Sequence, residues 1–117
     1  MTSFRRGDIA LVIFPNSDLK TGKKRPVLIV DSDDVSTGLP QRIVAMVSSN
    51  MKRAGHPSRV PVCIGSEEGK NSGLLFDSVI MTDNLATIRI HEFDRVIGHI
   101  SGMAAVDKAL RCTLALG

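Results

Sequence analysis

Tryptophan and tyrosine are absent from this 117-residue chain, and phenylalanine occurs only four times. The four Phe stand mostly beside apolar runs, so recognition of a ligand by stacking on aromatic rings is not expected to dominate. No apolar run approaches the ~20 residues of a membrane-spanning helix. Residues 1–8 carry charge but no apolar stretch of signal-peptide length, since Asp8 stands between the arginines and the first apolar run. A cytoplasmic protein with no membrane partner is expected. Cysteine is nearly absent too, and two residues cannot make a disulfide framework. Cys63, in an alternating apolar run, and Cys112, on an expected helix, are read as small buried hydrophobes with free thiols. His56, His91 and His99 form no cluster with them at metal-ligand spacing, so neither a metal nor another cofactor is expected.

What is present fits a single domain over residues 1–117, long enough for one core and too short for two. A hydrophobic fraction of 43% excludes a disordered chain. The formal net charge of +3 is unevenly spread: residues 1–59 carry +5 and residues 60–117 carry −2. A skew of this kind suits an anionic partner such as nucleic acid, although a solvated face has the same composition.

The basic half contains Lys20, Lys23, Lys24 and Arg25, read as a polycationic loop, followed by Pro26-Val27-Leu28-Ile29-Val30, read as a wholly apolar strand. Pro26 fixes the local backbone and biases Arg25 toward extended geometry, which aims a planar guanidinium at one point in space. That is a way to present a cation to a phosphate.

The apolar runs at residues 9–14 and 43–47 predict two further strands, each ended by a polar cluster. Residues 60–64 alternate, and Pro61 restricts them to an edge or bulged strand. Residues 65–73 read as a surface turn, residues 74–81 as a strand interrupted by Asp77-Ser78, and residues 86–90 and 95–100 as two short strands. A C-terminal helix is expected from a Ser101 cap, with Met103, Val106, Leu110 and Leu114 along one face and an Asp107–Arg111 pair outside. Six or seven short strands and one terminal helix predict a mainly β, mostly antiparallel barrel or half-barrel.

In order and spacing these segments resemble a known family. Arg6-Gly7-Asp8-Ile9, then Phe14-Pro15-Asn16-Ser17-Asp18-Leu19, then Lys23-Lys24-Arg25-Pro26-Val27-Leu28-Ile29-Val30 are similar to the PemK/MazF toxin endoribonucleases. Residues 43–49, 76–80 and 97–116 continue the likeness over nearly the whole chain. The resemblance implies an SH3-like barrel of the PemK/MazF toxin type. It also implies a homodimer, metal-independent cleavage of single-stranded RNA at short sequences, and restraint by a cognate antitoxin protein. The implied chemistry is attack of a ribose 2′-hydroxyl on the adjacent phosphate, leaving a 2′,3′-cyclic phosphate and a 5′-hydroxyl, which inhibits translation and growth.

Arg25 is the expected catalytic cation, because negative charge gathers on the phosphate oxygens in the transition state. The family's Ser or Thr at the end of the third strand falls on Ser48, with Ser49 as the substitute; its hydroxyl suits orienting the 2′-hydroxyl or a phosphate oxygen better than acting as a free base. Asp77 matches a general base of one family branch, yet Leu75 replaces that branch's Arg and no His occurs between Phe14 and Arg25. Asp77 is therefore either catalytic or a structural anchor. Lys20, Lys23, Lys24, Lys52 and Arg53 are read as contacting phosphates or attracting RNA. Asn16 and Ser17, in the loop that covers RNA in the family, and Ser49 complete the expected RNA-binding set. Two other classes stay open: a non-catalytic toxin of related fold that binds DNA gyrase, and a plain RNA-binding module.

Overall fold

The uninterrupted apolar runs become strands buried on both faces. The computed structural model describes residues 4–15, 22–34 and 37–117. Among these lie β1 (Asp8–Pro15), β2 (Gly22–Ile29), β3 (Gln41–Ser48), β4 (Arg59–Val62), β5 (Ser78–Arg89) and β6 (Phe93–His99). Two α-helices accompany them, α1 (Glu67–Ser72) after β4 and α2 (Ala104–Leu114) at the C-terminal end. The strands form one sheet in the order β4-β5-β3-β2-β1-β6, with every pairing antiparallel.

Alternation divides the core in two. Ile9, Leu28, Val30, Ala45, Val47 and Ile80 pack with Ile100 and with Val106 of α2. Their strand neighbours Ala10, Val27, Ile29 and Val44 pack instead with Val12, Ile88 and Phe93. Leu28, Ile29 and Val27 are completely buried, and a side chain so placed stabilises the fold by about 1.5–3 kcal/mol. This is why residues 27–29 admit no polar side chain.

The sheet is open, with β4 and β6 as its edges, and α1 bridges them. It follows β4 in the chain and its C-terminal end lies against the backbone of β6. A Cβ on Gly98 would stand 2.3 Å from the Ser72 carbonyl carbon, and one on Gly73 would stand 2.0 Å from the Ile97 carbonyl oxygen. Gly73 also takes a left-handed φ of 74° that ends the helix. The turn expected over residues 65–73 is thus a helix. Ser66 caps it, its Oγ accepting from the Gly69 N–H at 3.0 Å, and Glu67 and Glu68 occupy the favourable first turn.

Pro61 does lie on an edge strand. β2 begins at Gly22, four residues earlier than expected, so Lys23, Lys24 and Arg25 belong to a ladder with β1 rather than to a loop. β5 begins only at Ser78 and then absorbs residues 86–89. Residues 74–77 stay outside the sheet because their polar groups are used locally: Asp77 Oδ1 accepts from Ile64 N (2.9 Å) and Ser78 Oγ donates to the Phe76 carbonyl (2.8 Å).

The helix expected from Ser101 starts at Ala104 with no side-chain cap. Val106 is buried and Met103 and Leu110 pack on the core, but Leu114 is exposed. Asp107 pairs with Arg6 (2.6 Å) rather than with Arg111. Both cysteines are free and exposed, not buried. Strand alternation turns Val60 and Val62 inward and leaves Cys63 at the outward position. Cys112 lies in the last turn of α2, beyond the buried Val106 and Ala109. No helix among the described residues is long and apolar enough to cross a membrane.

Candidate active site

Hydrogen-bond direction along β2 decides where the sheet opens. The Val30 N–H donates to Ile43 O of β3, and Ile29 O accepts from Gly7 N on the β1 side. Counting back in twos, residues 28 and 26 face β3 while 27 and 25 face β1. Position 26 is proline and has no N–H to give to β3. The β2–β3 ladder ends at Val27↔Met46, while the β1–β2 ladder continues through Val12↔Arg25 to Pro15↔Gly22. β2 and β3 part at this point. Extending their register two residues further sets Arg25 level with Ser48, the last residue of β3.

The parting strands open on a cavity of about 680 Å³. Among the described residues Lys23, Lys24, Arg25, Arg53 and Arg95 line it, and no carboxylate does. Ser48, Ser49, Ser78 and Asn84 add polar groups, and Leu74, Leu75, Phe76 and Ile97 form an apolar wall. Lys24 leans on Asp94 at 3.1 Å, with Arg95 3.8 Å from the same oxygen. Arg53 rests Nη1 on Met81 Sδ at 3.7 Å. Among the described residues Lys23, Arg25 and Arg53 have no ion pair. An uncompensated cluster of this kind attracts an anion.

Ser48 is half-buried, and its Oγ accepts from the Asn50 N–H at 3.1 Å. That bond fixes the oxygen and leaves the hydroxyl proton available to a ligand. Ser49 also lines the cavity and is exposed. Asp77 does not line it, although its neighbours Phe76 and Ser78 do; its carboxylate is bound to the Ile64 N–H. Lys52 also stands off the lining, exposed in a short 3₁₀ turn whose first N–H groups Asn50 caps. Asn16, Ser17 and Lys20 lie outside the described residues.

Leu75, Phe76, Asn84 and Arg95 are among the cavity residues not apparent from the sequence. Arg95 reaches the site because β6 pairs with β1 at Leu11↔Arg95, a non-local pairing that no local pattern announces. Asn84 does so because the β3–β5 register jumps between Ala45↔Leu85 and Met46↔Met81, looping out residues 82–84. Phe76 carries a usable signal, an aromatic next to Asp77 with polar neighbours, which the adjacent carboxylate obscures. Among the described residues, no three His, Cys, Asp or Glu side chains stand together as metal ligands.

The half-open antiparallel sheet, its C-terminal helix and a cationic cavity between parted strands define a MazF-type fold. The sequence profile of PemK-like, MazF-like toxins of type II toxin-antitoxin systems matches residues 5–114, and the chain belongs to that family. It is 30% identical over 115 residues to Endoribonuclease EndoA of Bacillus subtilis (strain 168), spanning 96% of this chain and 95% of that protein. It superposes on Mycobacterium tuberculosis toxin MazF-mt6 with a TM-score of 0.72 and 27% identity, covering 94% of this chain and 98% of the other. A mycobacterial endoribonuclease solved in complex with its cognate antitoxin shares the fold, at TM-score 0.76 and 18% identity over 98% of each chain. The chain is therefore a homologue of MazF-family toxin endoribonucleases.

Proposed function

We propose that this protein is the toxin of a type II toxin-antitoxin system and cuts single-stranded RNA by attack of a ribose 2′-oxygen on the adjacent phosphorus. The 2′-hydroxyl gives up its proton to solvent as the new bond to phosphorus forms, the bond from phosphorus to the 5′-oxygen breaks, and the 5′-oxygen takes up a proton from solvent, leaving a 2′,3′-cyclic phosphate and a 5′-hydroxyl. One observation carries the reading: Arg25 and Ser48 come level where β2 and β3 part, on a cavity whose described lining has five cations and no carboxylate. In the transition state the phosphate oxygens gain negative charge, and Arg25 meets it with paired donors in a fixed plane. Its backbone is held in the β1–β2 ladder, so the cation requires little rearrangement when charge develops. Ser48 orients the reacting groups, its hydroxyl donating to a phosphate oxygen or its Oγ accepting from the 2′-hydroxyl. Lys23, Lys24, Arg53 and Arg95 draw the RNA backbone in.

Metal-independence is supported by this donor set, since a wall of cations with no carboxylate among its described residues is a poor seat for a divalent ion. Asp77 is assigned to anchoring the cavity wall, because its carboxylate holds Ile64 N and stands off the cavity. A cytoplasmic homodimer restrained by a cognate antitoxin completes the reading. An acidic, apolar-studded antitoxin segment would occupy the same basic cavity.

Incubation with a long single-stranded RNA in EDTA, followed by mapping of the ends, tests this directly. Discrete cuts with cyclic phosphate and 5′-hydroxyl ends are expected. No cleavage, or cleavage that survives a 2′-deoxy sugar at the attacking position, would sink it; growth arrest that persists in a folded R25A variant would point to a gyrase-type toxin instead.

A further inference from the structure

An exposed phenylalanine alone says little, since single apolar side chains are common on protein surfaces. Phe76 differs in its setting. It is 66% exposed and Leu75 beside it 80% exposed, yet both belong to the wall of a cavity otherwise populated by cations. The backbone that carries them is tied on either side. The Leu74 N–H donates to Ser72 Oγ (3.2 Å), the Phe76 carbonyl accepts from Ser78 Oγ (2.8 Å), and Asp77 Oδ1 accepts from Ile64 N (2.9 Å). The close approach of Gly73 to the Ile97 carbonyl fixes the start of the segment. A flat apolar ring is thus presented on a constrained backbone, without burial to stabilise it, in the cavity that also holds Arg25 and Ser48.

From this arrangement we infer that Phe76 is a base-binding residue: its ring stacks on a nucleobase flanking the scissile phosphate, with Leu75 covering the base edge. The inference rests on the RNA-cleaving function proposed above. RNA has the matching chemistry, because each nucleotide carries an anion and a flat π-face joined by a short sugar. The cations of the cavity engage the first, and Phe76 supplies the one aromatic face for the second among the cavity's described residues. The described part of the wall, with five cations and no carboxylate, also accepts a polyanion. Stacking tolerates all four bases, so Phe76 supplies affinity and holds the flanking nucleotide in line for attack, while sequence choice rests with polar groups.

The test uses the full chain and an RNA oligonucleotide containing a mapped cleavage site, with 2-aminopurine on either side of the scissile bond. A 2′-deoxy sugar at the attacking position gives a bound, uncut version. Wild-type protein is expected to quench 2-aminopurine on one side of the bond. F76A should lose that quenching and weaken binding of the uncut strand by about 10- to 100-fold, the usual worth of one stacked base. F76W should retain both, whereas F76L, apolar but without a flat face, should resemble F76A. Because the ring is exposed, all three variants should keep the wild-type melting temperature.

If wild type cleaves and F76A or F76L matches it in KM and quenching, stacking is overturned while the nuclease reading stands. Stacking is equally overturned if F76A leaves RNA binding intact and lowers affinity only for an acidic antitoxin-like peptide. If wild type itself cuts no RNA, the functional reading fails first and takes the subsite with it.

Discussion

The two ends of the β2–β3 pair use arginine in opposite ways. At the end where β2 leaves the sheet, Arg42 bonds Asp31 Oδ1 (2.7 Å), Asp33 Oδ1 (2.8 Å) and the Phe4 carbonyl, with a side chain only 13% exposed. Arg6 bonds the Val30 carbonyl (2.8 Å) and Asp107 (2.6 Å) nearby. Both guanidinium groups there are satisfied by protein. At the other end Arg25, Lys23 and Arg53 face a cavity with no ion pair among the described residues. Residue type alone does not separate paired from unpaired cations; the supply of carboxylates and carbonyls around them does. Residues 31–34 contain three aspartates, whereas the described cavity lining contains none.

Removing a cation from each end should therefore break different things. The largest effect is expected from R25A, a fall of about 10²–10³ in RNA cleavage rate with no change in melting temperature. R25K, which restores charge but not the planar fork, should recover only a small part. Next comes R42A, which should cost about 2–4 kcal/mol of stability, because it strands Asp31 and Asp33 and leaves the Phe4 carbonyl unpaired. Urea unfolding would measure this, and cleavage at a temperature where the variant stays folded should match wild type. Loss of stability in R25A, or loss of cleavage in folded R42A, would erase the contrast.

Smaller effects sharpen it. S48A should slow cleavage roughly 10-fold, the worth of one hydrogen bond to a charged group, and S49A distinctly less. The reverse order in initial rates would move the active hydroxyl to Ser49.

The smallest effect concerns acid stability. For Asp33, burial alone would raise the carboxyl, but hydrogen bonds from Arg42 and the Arg6 N–H, with the nearby positive charges, outweigh it and hold it below the usual carboxylate range. For Asp83 the Arg59 hydrogen bond leads and burial opposes it, with the same net direction. A folded-state value below the unfolded one adds stability at pH above the unfolded value of about 4, and that stability is lost as pH falls through the folded value. The melting temperature should therefore drop on the acid side. D33N and D83N should each flatten that limb slightly, since both carboxylates are substantially exposed.

Much of this is legible in the sequence because burial writes itself into local pattern. Residues 9–14, 26–30 and 43–47 read as strands from their apolar runs, and Pro61 announces an edge or bulged strand. Arg25 and Ser48 are legible because both sit next to such runs, where a polar side chain stands out. What escapes depends on partners distant in the chain. Asp107 looks like the i,i+4 mate of Arg111 until Arg6 reaches it from the N-terminal side. The cysteines look buried because composition does not say which way an alternating residue turns. Residues 65–73 look like a turn because glycines stand where a helix must press against another backbone. Lys23 and Lys24 look like loop residues because the β1 ladder that holds them lies beyond their own apolar run.

The packing of α1 against β6 bears on how any partner segment can bind. A bare edge strand invites another chain to join the sheet by strand addition. Here the backbone of β6 at Ile97 and Gly98 is pressed by the end of α1, and β4, the opposite edge, carries Pro61. Neither edge is left as a clean template. A flexible protein segment that silences the cavity would accordingly hold on through side chains and charge rather than through a continuous backbone ladder, which favours grip that a competing polyanion or high salt can loosen.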